Sequence, residues 1–420
     1  MNYLVNEFSF CRLLPARQLL LAPELVGDRF IDKVVNRKSI VSKGSRRGGV
    51  IIFDEVGFLD MHKFNTPEHY YSTHGYTEDQ FLITDNNGSL YTYHYDKPDP
   101  VECIENVGLY PINSESHWVD GTHSIHFHGT EGIKRHRISG NKYFCLFDWE
   151  KREIVWKSKP EENQGFGYAI GAGKLVYQAH QNDGAVYCLD LLTGKNSWQK
   201  DPLDILVLNG EQKEYYDRSQ KGVVGNPRIF KNLVIVGMPF YSIVALDIKT
   251  GEKVWEYKLA SNKDQYKQTL FHVTSTPYRM AVTEKGKIYR LESADVICGY
   301  DKHCHELFLV ELDATTGKLL QRLEVKAPEG DLQEHIIDPY EKEFDFGRET
   351  YCDVTSTHYL TCFEGGPIMA INLKTGIVDW HITLPTGSPF GSFFVLNNRL
   401  YTSTGYSHYV FEGEGGYIPD

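Results

Sequence analysis

A fourteen-residue pattern with fixed internal spacing governs what this chain can fold into. Residues 185–198 read AVYCLDLLTGKNSW, residues 242–255 read SIVALDIKTGEKVW, and residues 367–380 read PIMAINLKTGIVDW. In each, a Gly follows the Asp or Asn by four positions and a Trp follows it by eight. Two further copies carry one lapse apiece: residues 308–321 place Gln321 where Trp stands elsewhere, and residues 143–156 place Arg152 where Gly stands. The letters describe a hairpin. An apolar run of five or six residues makes a strand, and the Asp at its end turns the backbone by accepting bonds from N–H groups just beyond. The Gly then supplies a positive φ at no steric cost, and the chain returns as a second strand bearing the Trp. One hairpin is marginally stable, so such units must stack and bury their faces against one another, with the Trp as the large plug between them.

The pattern apolar-Leu-Asp-x-x-Thr-Gly-x-x-x-Trp resembles the repeat of pyrroloquinoline quinone (PQQ) type β-propellers. It is carried by Asp190, Thr193, Gly194 and Trp198, by Asp247, Thr250, Gly251 and Trp255, and by Asn372, Thr375, Gly376 and Trp380. The resemblance covers residues 140–385 and implies an all-β fold of four-stranded blades. Successive copies lie about 56 residues apart. Weaker copies extend the series: GSLYTYHY (88–95) puts His94 in the Asp register, and YSHYVFEGE (406–414) resembles a further third strand that lacks its Thr-Gly and Trp. Seven blades follow, or eight, in one propeller domain over residues 1–420. The incomplete last blade asks for a strand from the N-terminal segment 1–64, where YLVNEFSF (3–10) and VIIFDEVGFLDM (50–61) are the candidates, to remove an open sheet edge.

The same resemblance raises quinone-dependent dehydrogenation. Enzymes of that group cover the cofactor with a disulfide between adjacent cysteines, bind calcium beside it and are exported. Here the eight cysteines (11, 103, 145, 188, 298, 304, 352 and 362) include no adjacent pair. The start MNYLVNEFSFCRLLPARQLLLAPELV has Glu7 where an export signal carries positive charge, and Arg12 and Arg17 interrupt its apolar run. The expectation is therefore a cytoplasmic protein with reduced thiols and no PQQ or other cofactor. A formal net charge of -12 disfavours nucleic acid and anionic membranes as partners and favours a basic protein.

Histidines supply the candidate site. DGTHSIHFHG (120–129) is read as the innermost strand of its blade, with His126 and His128 sharing one face and His123 on the other. GIKRHRIS (132–139) is then the second strand. Two imidazoles two positions apart on a strand can share a divalent ion. A second cluster, Cys298, His303, Cys304 and His305, falls in an enlarged connection, DVICGYDKHCH (295–305), and both segments are placed opposite the Thr-Gly turns. IHFHG and HCH also resemble two of the four copper motifs of multicopper oxidases, but Leu309 stands where the last motif needs a His. The metal candidates are thus His123, His126, His128, Cys298, His303 and His305. GFGYAIGAGK (165–174) is read as a strand and turn, since Leu175 stands where a phosphate loop needs Ser or Thr. No Ser-His-Asp order, paired-carboxylate motif or nucleotide fingerprint assigns catalytic residues. Three readings stand: a non-catalytic scaffold or inhibitor/immunity-type protein binding through its loops, a metal-dependent enzyme at the histidines, and a small-molecule or sugar binder using HYYSTHGY (69–76).

Overall fold

A computed structural model describes residues 8–15, 40–42, 51–53, 58–59, 65, 70–75, 80–85, 88–94, 96–105, 107, 111–120, 122–129, 133–134, 137–138, 142–158, 166–179, 185–207, 210, 227–238, 242–258, 280–293, 307–326, 349–363, 368–382, 393–396, 399–403 and 407–413. Their strands assemble as seven four-stranded antiparallel sheets, the blades of a β-propeller. Blade 1 comprises Tyr70–Gly75, Gln80–Asp85, Leu90–His94 and Pro100–Ile104. Blade 2 comprises Pro111–Trp118, His123–Gly129, Lys142–Asp148 and Glu153–Lys157. Blade 3 comprises Phe166–Gly171, Lys174–Ala179, Val186–Asp190 and Asn196–Lys200. Blade 4 comprises Arg228–Phe230, Leu233–Met238, Ser242–Asp247 and Lys253–Lys258. Blade 5 comprises Ala281–Val282, Lys287–Ser293, Leu307–Asp313 and Leu319–Glu324. Blade 6 comprises Glu349–Val354, His358–Phe363, Ile368–Asn372 and Val378–Ile382.

Blade 7 joins the two ends of the described chain. Its first three strands are Phe393–Leu396, Arg399–Ser403 and Ser407–Gly413, and the fourth is Phe8–Pro15, paired antiparallel with Ser407–Gly413. The expected N-terminal contribution thus comes from the first of the two candidate segments, displaced by a few residues. The second goes elsewhere: Ile51–Phe53 and Phe58–Leu59 pair with Ile40–Ser42 in a separate three-stranded sheet. The aromatic segment HYYSTHGY holds the first strand of blade 1.

The middle strands are buried on both faces, which explains why they read as continuous apolar runs. In blade 4, Val234, Val236, Val244 and Leu246 pack against Val176, Val186, Cys188 and Trp198 of blade 3. Their alternates Ile235, Ile243 and Ala245 pack against Ile288, Val310 and Leu312 of blade 5. The same division places Ile125, Phe144 and Leu146 of blade 2 against Leu175, Tyr177 and Leu189 of blade 3. The core is therefore a series of layers between blades. Cys145, Cys188, Cys352 and Cys362 are free thiols inside these layers, whereas Cys103 is exposed.

Trp and Gly meet across the junctions. A Cβ on Gly194 would lie 2.5 Å from the Trp156 indole, on Gly251 2.7 Å from Trp198, and on Gly317 2.4 Å from Trp255. Each of these indoles donates its N–H to a carbonyl of the next blade: Trp156 to Leu191 at 3.1 Å, Trp198 to Ile248 at 2.9 Å and Trp255 to Ala314 at 3.1 Å. The glycines adopt φ of 66°, 72° and 69°. Positive φ makes the turn, and the missing side chain admits the indole. Where Gln321 replaces Trp, the next junction is instead held by backbone: Lys326 N–H donates to Gly376 O at 3.0 Å, and Val378 N–H donates to Lys326 O at 2.8 Å.

One strand assignment is corrected. His123–Gly129 lies between Pro111–Trp118 and Lys142–Asp148, so it is the second strand of blade 2, not the innermost. The segment read as the second strand instead holds a small hairpin, Ile133–Lys134 with Arg137–Ile138. The register error arose because both segments are strand-like, and only pairing partners distant in sequence decide between them.

Candidate functional site

His123 opens its strand directly opposite Asp148, the repeat acid of blade 2. Before it, the Asp120 carboxylate closes a turn by accepting from the N–H groups of Thr122 and His123, both at 2.8 Å. The imidazole Nδ1 lies 3.1 Å from both Asp120 oxygens and 2.9 Å from Thr122 Oγ1, while Nε2 lies 3.6 Å from Asp148 Oδ2. Burial alone would raise the Asp120 pKa, but the donors of Thr122 and His123 outweigh it and lower it. The Lys151 ammonium, 2.9 Å from Asp148, is the main reason the Asp148 carboxyl falls to about 2.

Blade 6 builds the same corner with different letters. Thr355 replaces Asp120, its Oγ1 accepting from His358 N–H at 3.0 Å. His358, 3% exposed, has Nδ1 2.8 Å from Thr357 Oγ1 and Nε2 2.8 Å from Asp379 Oδ2. Asn372 occupies the repeat-acid position and donates to that same Asp379 oxygen at 2.8 Å. An Asp could not donate there, which gives the amide a reason. In both corners the imidazole faces a hydroxyl of its own turn and a carboxylate of a later strand of the same blade, an arrangement that locks the start of the second strand.

A charged cluster lies between blades 4 and 5. Arg290 and Glu292 are 4% and 1% exposed, with Nε and Oε1 3.7 Å apart, and the Arg322 guanidinium sits 3.4 Å from the centroid of the Phe308 ring. Burial pushes the Glu292 carboxyl up, against the pull of Arg290, Arg322 and Tyr257. Burial, then Glu292, pushes the Tyr257 hydroxyl up to about 12.

The predicted metal residues are not gathered by the described part of the molecule. His123 stands at the Thr-Gly turn end of its strand, against the expectation that the histidines lie opposite those turns. His126 and His128 take registers opposite Cys145 and Tyr143, and their side chains lie outside the described residues. Cys298, His303 and His305 fall between Lys287–Ser293 and Leu307–Asp313, also outside the described residues. Among the described residues no group of three or more His, Cys, Asp or Glu side chains is arranged to hold a metal ion. His358 and Glu292 went unnoticed in the sequence. Their signals were the shared x-Thr-His of DGTH (120–123) and TSTH (355–358), and two charges at alternate positions of the apolar run KIYRLES.

Residues 211–338 match the family described as outer membrane protein assembly factor BamB. Methanol dehydrogenase [cytochrome c] subunit 1 of Methylorubrum extorquens is 28% identical over 160 residues, 34% of this chain and 24% of that protein. The chain thus spans about a quarter of the curated relative it matches. The crystal structure of BamB from Moraxella catarrhalis superposes with a TM-score of 0.54 at 15% identity, over 96% of this chain and 99% of that one. The fold is a PQQ-like β-propeller. A europium-containing methanol dehydrogenase also superposes, with a TM-score of 0.55 at 10% identity over 94% of this chain and 84% of its own. An assembly factor and a dehydrogenase therefore share this architecture, and the PQQ-like propeller does not by itself choose between such roles. Among the described residues no helix is long and apolar enough to cross a membrane.

Proposed function

We propose that this PQQ-like propeller is a non-catalytic, cytoplasmic protein-binding scaffold of the inhibitor or immunity type, contacting a basic protein through the connections opposite its Thr-Gly turns. The observation that carries this reading is the charge of one such connection. Between blades 5 and 6, residues 327–348 hold seven carboxylates (329, 331, 334, 338, 341, 343 and 345) against Lys342 and Arg348. Like charge concentrated on one connection steers an oppositely charged partner and sets its association rate. The likeness to BamB over nearly the whole of both chains supports a scaffold, and no metal or quinone is required. The test is titration of the full chain with a Lys/Arg-rich peptide, beside a variant carrying amides at those seven acids. Binding that weakens with salt and is lost in the variant supports the proposal. Equal binding by both, or stoichiometric metal in protein purified without a His tag together with metal-dependent turnover, overturns it.

A further inference from the structure

Antiparallel pairing sends the turn between first and second strands, and the turn between third and fourth, to one edge of every sheet. On that edge of blades 3 to 6, Lys195, Lys231, Lys249, Lys285, Lys318 and Lys374 are all exposed. Among the described residues none of the six stands in an ion pair. The repeat acids beside them are occupied, whereas Glu284 stands exposed next to Lys285. Asp190, Asp247 and Asp313 each accept from the hydroxyl and N–H of their turn threonine, at 2.8 to 3.2 Å. Glu252 is bound by Lys200 at 2.9 Å. Lys231 holds φ 53°, a left-handed conformation in which Gly would be unstrained, so a lysine is kept there at a conformational cost.

We infer that this lysine edge is a second docking surface, and that it takes an acidic polypeptide segment. The size of the partner follows from screening. With a Debye length of about 8 to 10 Å, a short acidic peptide feels the local lysines, whereas a membrane or a long nucleic acid also meets the acidic remainder of a chain of net charge -12. The lysines recur at fixed turn positions, Lys195 and Lys318 after the Gly and Lys249 and Lys374 two residues past the Asp or Asn. An extended segment running across successive blades would meet one cation per turn. The inference does not depend on the acidic connection between blades 5 and 6, because it concerns the opposite edge.

The test uses the full chain and a fluorescent peptide alternating Glu and Ser, with anionic vesicles and duplex DNA as competing probes. Fluorescence anisotropy at low salt is expected to show binding that weakens steeply with added salt. The variant Lys195→Gln, Lys249→Gln, Lys318→Gln, Lys374→Gln should bind about tenfold more weakly. These side chains are exposed, and an unchanged melting temperature would establish that the variant folds. A variant carrying amides at the seven acids of residues 327–348 should bind the acidic peptide at least as well as the parent. Absence of peptide binding, binding indifferent to the four substitutions, or tighter binding to vesicles or DNA than to the peptide overturns the inference.

Discussion

Glu102 and Arg152 form an ion pair across the junction of blades 1 and 2, at the two positions that hold Trp and Gly at the next three junctions. Glu102 follows His94 by eight residues, as Trp198 follows Asp190, and Arg152 follows Asp148 by four. Arg152 adopts φ 59°, close to the glycines it replaces. The exchange of partners keeps the turn and changes the contact. Arg152→Gly removes roughly 1 kcal/mol of left-handed strain and forfeits an exposed ion pair worth about 0.2–1 kcal/mol, so its melting temperature should stay near that of the parent. Glu102→Trp alone would press an indole on the arginine and destabilise. The double variant should be more stable than the two single effects predict, by about 1 kcal/mol or more in a double-mutant cycle. Additive effects would show that the positions do not face each other as Trp and Gly do elsewhere.

The junction of blades 4 and 5 offers the complementary test. Trp255→Ala should cost about 3–5 kcal/mol, since a large side chain in the inter-blade layer is lost. Gly317→Ala should also destabilise, because its methyl would meet the indole at 2.4 Å on a backbone with φ 69°. In denaturant unfolding, an unchanged midpoint for either variant would show that the indole does not rest on that turn.

Acid and alkaline limbs of stability should respond to different carboxylates. Asp148 titrates at about 2, below its ordinary 3.8, so its contribution is present above the ordinary value and is lost as pH falls toward 2. Asp148→Asn should therefore reduce stability at neutral pH and flatten the loss in acid. Glu292 is shifted the other way, so its contribution is present below the ordinary carboxylate value and is lost as pH rises through the raised one. Relative to the parent, Glu292→Gln should gain melting temperature as pH rises above the ordinary carboxylate value. A relative loss over that range would mean that Arg290 and Arg322 hold Glu292 charged.

His358→Leu should destabilise by about 1–3 kcal/mol by leaving Thr357 and Asp379 without their imidazole partner. The expected accompaniment is faster amide exchange at residues 355–359, measured by mass spectrometry. Unaltered exchange there would show that the imidazole does not lock the strand start.

Deleting residues 1–15 should expose the edge of Ser407–Gly413, which Phe8–Pro15 covers. Light scattering should then report aggregated protein. A truncated chain that stays monomeric and melts with the parent would show that this pairing does not protect the last blade.

What could be read from the letters was local chemistry. The Asp, the Thr and the positive φ of Gly194, Gly251 and Gly317 act within five residues of one another, so hairpins, their spacing and the blade unit follow from the sequence alone. Phe8–Pro15 beside Ser407–Gly413 matches the expected N-terminal strand in the last blade. Strand order in blade 2 did not follow. His123–Gly129 and GIKRHRIS compete for one place, and the decision belongs to the pairing with Pro111–Trp118 and Lys142–Asp148. Nor did the surroundings of His123 and His358, whose partners Asp148 and Asp379 lie more than twenty residues downstream. Alternation told which residues share a face of a strand, but only the stacking of blades decided that both faces are buried, that Glu292 is enclosed with Arg290, and that the turn lysines line one edge. Turn geometry is encoded by neighbours in the chain, whereas burial and charge environment are set by whichever blade packs alongside.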